Sequence, residues 1–244
     1  MIAIAFALPQ ESRELVAALR APRRSGSLAL PVISGWLRLR EVVIFHTGVG
    51  AGSARKQLEA FWQAHCGSGV DCVIGTGFAG GLNPVLPAGT LVLAENYPER
   101  LDPARGVLGE RVQIGPLASA AAVLETPEAK AQLARETGAI AVDMESATVA
   151  AFFREKGVPF LALRAISDTA HESLPVPAAV WFDANTQRPR AAALLRYLLR
   201  HPARLFPFVR FVLTIRRSRQ TLSAALIELV TRSRAAAGPA PRRR

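Results

Sequence analysis

Apolar residues in this chain fall into short runs set between stripes of helical spacing. Residues 2–8 predict a buried strand broken by Pro9, and residues 10–19 predict an amphipathic helix with Leu15, Ala18 and Leu19 turned inward. Residues 21–26 read as a loop. Residues 28–34, 36–40 and 42–47 predict three short consecutive strands. The glycine-rich turn Gly48-Val49-Gly50-Ala51-Gly52 then leads into a helix predicted over 53–65. Strands are predicted over 71–76 and 90–94, the first followed by a second glycine-rich turn, Gly77-Phe78-Ala79-Gly80-Gly81-Leu82. Residues 96–118 mix glycine, proline and charge and predict no element. Thr126 before Pro127 is an N-cap with proline at the first helical position, and Gly138 stops the helix predicted over 127–137.

The stretch from Ala139 to Asp168 organises the rest. Two apolar runs, 139–142 and 159–166, predict buried strands, and a helix predicted over 144–156 joins them and ends at Gly157-Val158-Pro159. This reads as a strand–helix–strand unit with a parallel crossover. Glu145 and Asp168 both follow strand ends, where ligands bind in open α/β sheets, so the two carboxylates are expected to face one pocket. The plain alternative is equally open from these residues alone. A Glu in a first helical turn is favoured by the helix dipole, and an Asp after Ser can cap a helix. Alternating strands and helices predict a central sheet covered on both faces. Beyond Asp168 the pattern changes to a proline-bearing stretch, then three arginine-rich helical candidates, 190–201, 203–217 and 219–234. In the last, Leu222, Ala225, Leu226, Leu229 and Val230 form one apolar stripe. Residues 237–244 predict disorder.

Composition changes this picture in one respect. The chain has 244 residues and a net charge of +11. Residues 188–244 hold 14 arginines and one acid, Glu228, whereas residues 1–187 hold 16 basic and 18 acidic residues. The basicity therefore belongs to a C-terminal extension that is expected to meet an anionic partner. Two domains are expected: a catalytic one over 1–187 and an arginine-rich helical one over 188–244. Cys66 and Cys72 make no disulfide framework, and His46, His65, His171 and His201 form no metal motif, so no metal or cofactor is expected. The first residues carry no secretory signal and no run is long and apolar enough to span a bilayer, which predicts a cytoplasmic protein.

Residues 142–146, VDMES, followed by residues 164–168, RAISD, resemble the nucleoside phosphorylase and nucleosidase family, above all the 5′-methylthioadenosine/S-adenosylhomocysteine nucleosidases. The resemblance covers about residues 1–170. It implies a three-layer α/β/α phosphorylase-type fold with a central mixed twisted sheet, here followed by the basic helical extension. It also implies cleavage of an N-glycosidic bond, for which carboxylates in different environments are suited. By the resemblance, Asp168 protonates purine N7, with Ser167 beside it. Glu145 binds the ribose hydroxyls, Met144 packs on the sugar, and Glu11, in ALPQES, activates water. Gly77, Phe78 and Ala79 belong to a turn similar to the family's TGSAGG loop.

The chain also departs from that pattern. Phe78 replaces a serine near the nucleophile, Gly75 stands where phosphate-using relatives carry arginine, and residues 118–123 lack the aromatic ring that covers the base. Residues 96–118 are shorter than in typical nucleosidases, which opens the 5′ side. These departures and the basic tail look most like the hopanoid-associated phosphorylase subgroup, which implies release of adenine from adenosylhopane. The expected substrate is thus a 5′-substituted adenosine, with water favoured over phosphate as nucleophile. The expected partners are an anionic face of the inner membrane and further copies of the chain in a homodimer or higher homo-oligomer. A methylthioadenosine/S-adenosylhomocysteine nucleosidase and a purine nucleoside phosphorylase are the alternatives within this chemistry. A basic nucleic-acid-binding protein is the alternative outside it, and it is disfavoured because the tail has few aromatics and no recognised module.

Overall fold

A computed structural model describes residues 1–27, 30–65 and 69–232. Cys66, the start of the strand predicted over 28–34, and the tail predicted over 237–244 lie outside the described residues. The chain opens with β1 (Ile2–Phe6), the short helix α1 (Arg13–Ala17), and the antiparallel strands β2 (Arg20–Gly26), β3 (Pro31–Leu37) and β4 (Arg40–His46). Helix α2 (Ala51–His65) leads to the long strand β5 (Cys72–Gly81), then β6 (Leu91–Ala94), α3 (Leu101–Leu108), β7 (Val112–Gly115) and β8 (Leu117–Ser119). Helix α4 (Pro127–Thr137), β9 (Ala141–Asp143), α5 (Ser146–Glu155) and β10 (Phe160–Asp168) follow. After them come the short helix α6 (Ala178–Trp181), a two-stranded ribbon of β11 (Phe182–Asp183) and β12 (Arg188–Pro189), and the helices α7 (Ala191–Arg200) and α8 (Leu205–Arg232).

The ten strands β1–β10 form one mixed sheet in the order β2-β3-β4-β1-β5-β10-β6-β7, with β9 pairing the end of β5 and β8 pairing β9. Its centre is parallel: β1 runs with β4 and β5, and β5 with β10. Strands buried on both faces read as continuous apolar runs, which explains why β1 and β10 carry no polar alternation. Side chains still alternate between two cores. Ile2, Ile4 and Phe6 join Leu15, Ala104 and Leu226 on one face. Ala3 and Ala5 join Leu58, Phe61 and Phe153 on the other. Helices α1, α3 and α8 thus cover one face and α2 and α5 the opposite one, the expected three-layer mixed α/β architecture.

Several expectations need correction. The loop expected at 21–26 is the edge strand β2; all seven of its residues are exposed, so no buried face marks it in the sequence. The strands expected at 36–40 and 28–34 share a single strand, β3, which turns at Arg38 (φ 54°) into β4. Residues 96–118 contain α3, β7 and β8. The unit around residues 139–168 is not a parallel crossover: β9 is antiparallel to β5, and β5 is parallel to β10. The two helices expected over 203–217 and 219–234 are one, α8, because Ser218 contains no helix-breaking feature and packs inside. The second glycine-rich turn is strand: β5 continues to Gly81, since ladder hydrogen bonds need backbone and not side chains.

The C-terminal half of α8 belongs to the core, with Leu222, Leu226, Leu229 and Val230 buried. Leu226→Ala removes a fully buried side chain, and denaturant unfolding is expected to find a loss of about 2–5 kcal/mol. A loss below about 1 kcal/mol would mean that this half of the helix is not packed as described.

Candidate active site

The site forms around the last residues of β5, where four of the seven positions from Gly75 to Gly81 are glycine. Gly77 adopts φ 142°, open to glycine, and a Cβ built on it would stand 3.1 Å from both carboxylate oxygens of Glu11 and 3.0 Å from Arg164 Nη1. At Gly80 the nearest neighbours of such a Cβ are Val142 and, at 3.6 Å, Asp168 Oδ2. Three strand residues span about 10 Å, roughly the length of a nucleoside. The end of β5 therefore bears no side chain at Gly77 and Gly80, on either side of Phe78 and Ala79, with one carboxylate near each glycine.

Glu11 precedes α1 and does not sit in its first turn. Its carboxylate turns back to accept from the N–H groups of Ala7 and Leu8, both at 3.0 Å, and of Phe78 at 3.4 Å. Burial pushes its carboxyl above the ordinary range, against those N–H donors and the Arg164 guanidinium. Glu145 ends the loop after β9 as the first flanking residue of α5, yet its side chain caps nothing in its own helix. It accepts from Gly50 N–H at 2.7 Å, in the first glycine-rich turn, and Met144 Cε lies 3.9 Å from where a Gly50 Cβ would stand. Burial pushes the Glu145 carboxyl up to about 7, opposed by the Gly50 N–H and Arg164 and reinforced by Asp143 and Glu11. The helix-dipole explanation thus does not describe either glutamate.

Asp168 ends β10. Its Oδ1 lies 2.5 Å from Ser167 Oγ, and its Oδ2 2.5 Å from Lys130 Nζ. Ser167 Oγ also lies 3.1 Å from the Ala79 carbonyl, and its one proton serves one acceptor at a time. Phe78 contributes its N–H to Glu11 while its ring packs against the core under β10. Sequence reasoning named these residues but missed the two cations. Arg164 is 3% exposed and pairs Asp143 at 2.7 Å while donating to Ser146 Oγ at 2.9 Å. An arginine inside an apolar strand was the available signal, because a buried charge demands partners. Asp143, which also accepts from Ser119 Oγ at 2.7 Å, is the structural carboxylate of the motif. Lys130, in PEAKAQLARET, left no signal, since its partners lie 38–42 residues away.

This geometry meets a matching family. The model of the Phosphorylase superfamily matches residues 1–100 and 99–200, and the chain belongs to that superfamily. A curated relative, the 5′-methylthioadenosine/S-adenosylhomocysteine nucleosidase of Thermotoga maritima, is 31% identical over 147 residues, which cover 52% of this chain and 66% of that enzyme. Among solved structures, a futalosine hydrolase mutant of Helicobacter pylori superposes with a TM-score of 0.69 at 21% identity, covering 94% of this chain and 97% of that one. A 5′-methylthioadenosine/S-adenosylhomocysteine nucleosidase of Colwellia psychrerythraea in complex with adenine gives 0.70 at 16% identity, covering 95% of each chain. The folds are the same.

The raised Glu145 carboxyl has a stability consequence. Its value is about 7 in the folded chain against 4.5 ordinarily, so the folded state holds this proton more tightly than the unfolded one. The stability so gained is full below the ordinary value and lost as pH rises through about 7. Glu145→Gln removes that loss. Thermal melts are expected to find the variant's advantage over wild type growing from about pH 4 to about pH 8; a constant difference would contradict the burial.

Proposed function

We propose that the chain is a nucleosidase that cleaves the N-glycosidic bond of a 5′-substituted adenosine and releases adenine. The carrying observation is the pair of buried carboxylates, Glu11 beside Gly77 and Asp168 beside Gly80, held along the end of β5. Asp168 delivers a proton to purine N7 as the bond from N9 to the anomeric carbon breaks and its electrons enter the ring. Glu145 accepts the ribose hydroxyls, with Met144 against the sugar. Glu11 takes a proton from the water that closes on the anomeric carbon, and Arg164 balances the two glutamates. Residues 1–187 carry this chemistry, and α7 with the N-terminal half of α8 extends from the core that the C-terminal half of α8 completes.

Water is the better nucleophile here. A Cβ at Gly75 would stand 2.6 Å from the Phe160 ring, so the strand has no room for the arginine that phosphate-using relatives carry there. The kinship with the Thermotoga maritima enzyme also supports a second reading, in which the 5′ group is a small thioether.

A lipid-linked 5′ group, as in adenosylhopane, is supported by the extension. The N-terminal half of α8 and the end of α7 expose Leu199 (75%), Phe206 (78%), Val209 and Leu213 among arginines. This surface adjoins the site: Arg210 pairs Glu172 at 3.4 Å just beyond Asp168, and Arg219 donates to the Gln10 carbonyl at 3.2 Å beside Glu11. Among the described residues no helix is long and apolar enough to cross a membrane. The surface instead suits the interface of an anionic bilayer, each basic residue there contributing roughly 1 kcal/mol. A peripheral position on the cytoplasmic face follows.

Asp168→Asn is expected to lower adenine release about 10²–10⁴-fold with the circular dichroism spectrum unchanged; a folded variant with wild-type rate would remove Asp168 from the mechanism. Assays with methylthioadenosine and with a lipid-linked adenosine separate the two readings, and free sugar as product distinguishes water from phosphate. The membrane reading is tested by co-sedimentation. Salt-sensitive binding to anionic liposomes is expected, reduced when Phe206 and Leu213 are both changed to serine; equal, salt-insensitive recovery of both proteins in the supernatant would contradict it.

A further inference from the structure

Lys130 is fully buried, and its partners make it more than a packed side chain. It rises from the first turn of α4, a helix fixed by the Thr126 cap at one end and Gly138 in the left-handed conformation at the other. Its ammonium reaches Asp168 Oδ2 at 2.5 Å, the Thr169 carbonyl at 2.7 Å and the Glu172 carbonyl at 2.9 Å. Those three acceptors match its three N–H bonds, so every proton it carries has a defined destination. The loop it grips is itself closed, because Glu172 Oε2 accepts from both the N–H and the hydroxyl of Thr169. Burying an ammonium costs several kcal/mol, which a pairing of this quality offsets. A methionine or leucine at position 130 would fill the same volume without that cost, yet the ammonium is aimed at the one carboxylate read as the leaving-group acid.

We propose that Lys130 is the positioning residue of that acid: its ammonium orients Asp168 and replaces the proton that Asp168 passes to the purine. This rests on the nucleosidase reading of the site. Asp168 gives its proton to N7 as the glycosidic bond breaks, and a proton moves from Lys130 Nζ to the Asp168 carboxylate. Lys130 is left as a neutral amine until the cycle closes. Water adds hydroxide to the anomeric carbon and its proton to Glu11. After adenine leaves, Glu11 loses its proton to solvent and Lys130 regains one by way of Asp168 from the emptied site, so the cycle closes with no net change in the protein. The division of labour also fits the other end of the site, where Glu11 and Glu145 share Arg164 and neither carboxylate meets Lys130 in any described contact.

The test uses the full chain and begins with adenine release by the wild type. Absence of that activity would overturn the nucleosidase reading and this proposal with it. With the wild type active, Lys130→Met is expected to lower kcat about 10²-fold or more, to change KM less than about threefold, and to shift the alkaline limb of the pH–rate profile. In an Asp168→Asn background the same change is expected to cost no further rate, since Lys130 acts only through Asp168. Lys130→Ala keeps the question answerable if the methionine variant does not fold. Ethylamine and propylamine are expected to restore its rate, whereas ethanol and tetramethylammonium are not. A folded Lys130→Met enzyme with wild-type kcat and pH profile would overturn the role of Lys130 while leaving the nucleosidase reading standing. So would an equal loss in the Asp168→Asn background, or a Lys130→Ala enzyme that no amine rescues.

Discussion

Everything in the site depends on β5 being paired along its length while glycines at 75, 77, 80 and 81 leave room beside its end. The ladder between β5 and β10 runs from Val73↔Phe160 to Gly80↔Asp168, with a shift in register between Ile166 and Asp168. That pairing fixes the strand, and the glycines open it. With a side chain at 77, the carboxylate of Glu11 and the guanidinium of Arg164 would both have to move. With one at 75, the Phe160 ring would be displaced. Glycine normally weakens a strand, because it costs more backbone entropy and contributes no packing. Here the cost is met by buried neighbours: β10 along the strand, β1 as far as Gly75 and β9 at Gly80 and Gly81.

Charge is the second constraint. Glu11, Asp143, Glu145 and Arg164 are all under 9% exposed, three carboxylates around one guanidinium. Arg164 commits its direct ion pair to Asp143, which leaves the two glutamates with backbone donors and an excess of negative charge. The result is a Glu145 carboxyl raised to about 7, chiefly by its burial and with Asp143 and Glu11 adding to the rise. The other end is balanced separately by Lys130, so one half of the site carries an excess of carboxylates and the other a one-to-one ion pair.

Much of this was legible before the fold was known, and the reasons are local. The strand of residues 2–8, the helix between Thr126 and Gly138 and the strand ending at Asp168 each carry a complete pattern of burial, cap or stop. The carboxylates Glu11, Glu145 and Asp168 stood out by their places after strands, but their roles came from the resemblance of VDMES and RAISD to the nucleosidases, since position alone left capping and dipole roles equally open. What was hidden depends on distance or on the lack of a buried face. Edge strand β2 has no core side to alternate against. The continuation of β5 through its glycines is a property of its partner strand. Lys130 is indistinguishable in sequence from the solvent-facing lysine of any amphipathic helix, and its role exists only once α4 lies over the end of β10. The single helix α8 hides a division of its own, with one half completing the core and the other presenting leucine, valine, phenylalanine and arginine beside the loop that follows Asp168.

The central claim is that the glycine-rich end of β5 is a purine-nucleoside cradle with Asp168 at the base and Glu145 at the sugar. A crystal structure of the full chain with adenine tests it most directly. The account predicts the purine against residues 77–80, with N7 about 3 Å from Asp168 and N9 turned toward Met144 and Glu145. Adenine bound elsewhere, or bound with N7 turned away from Asp168, would contradict it.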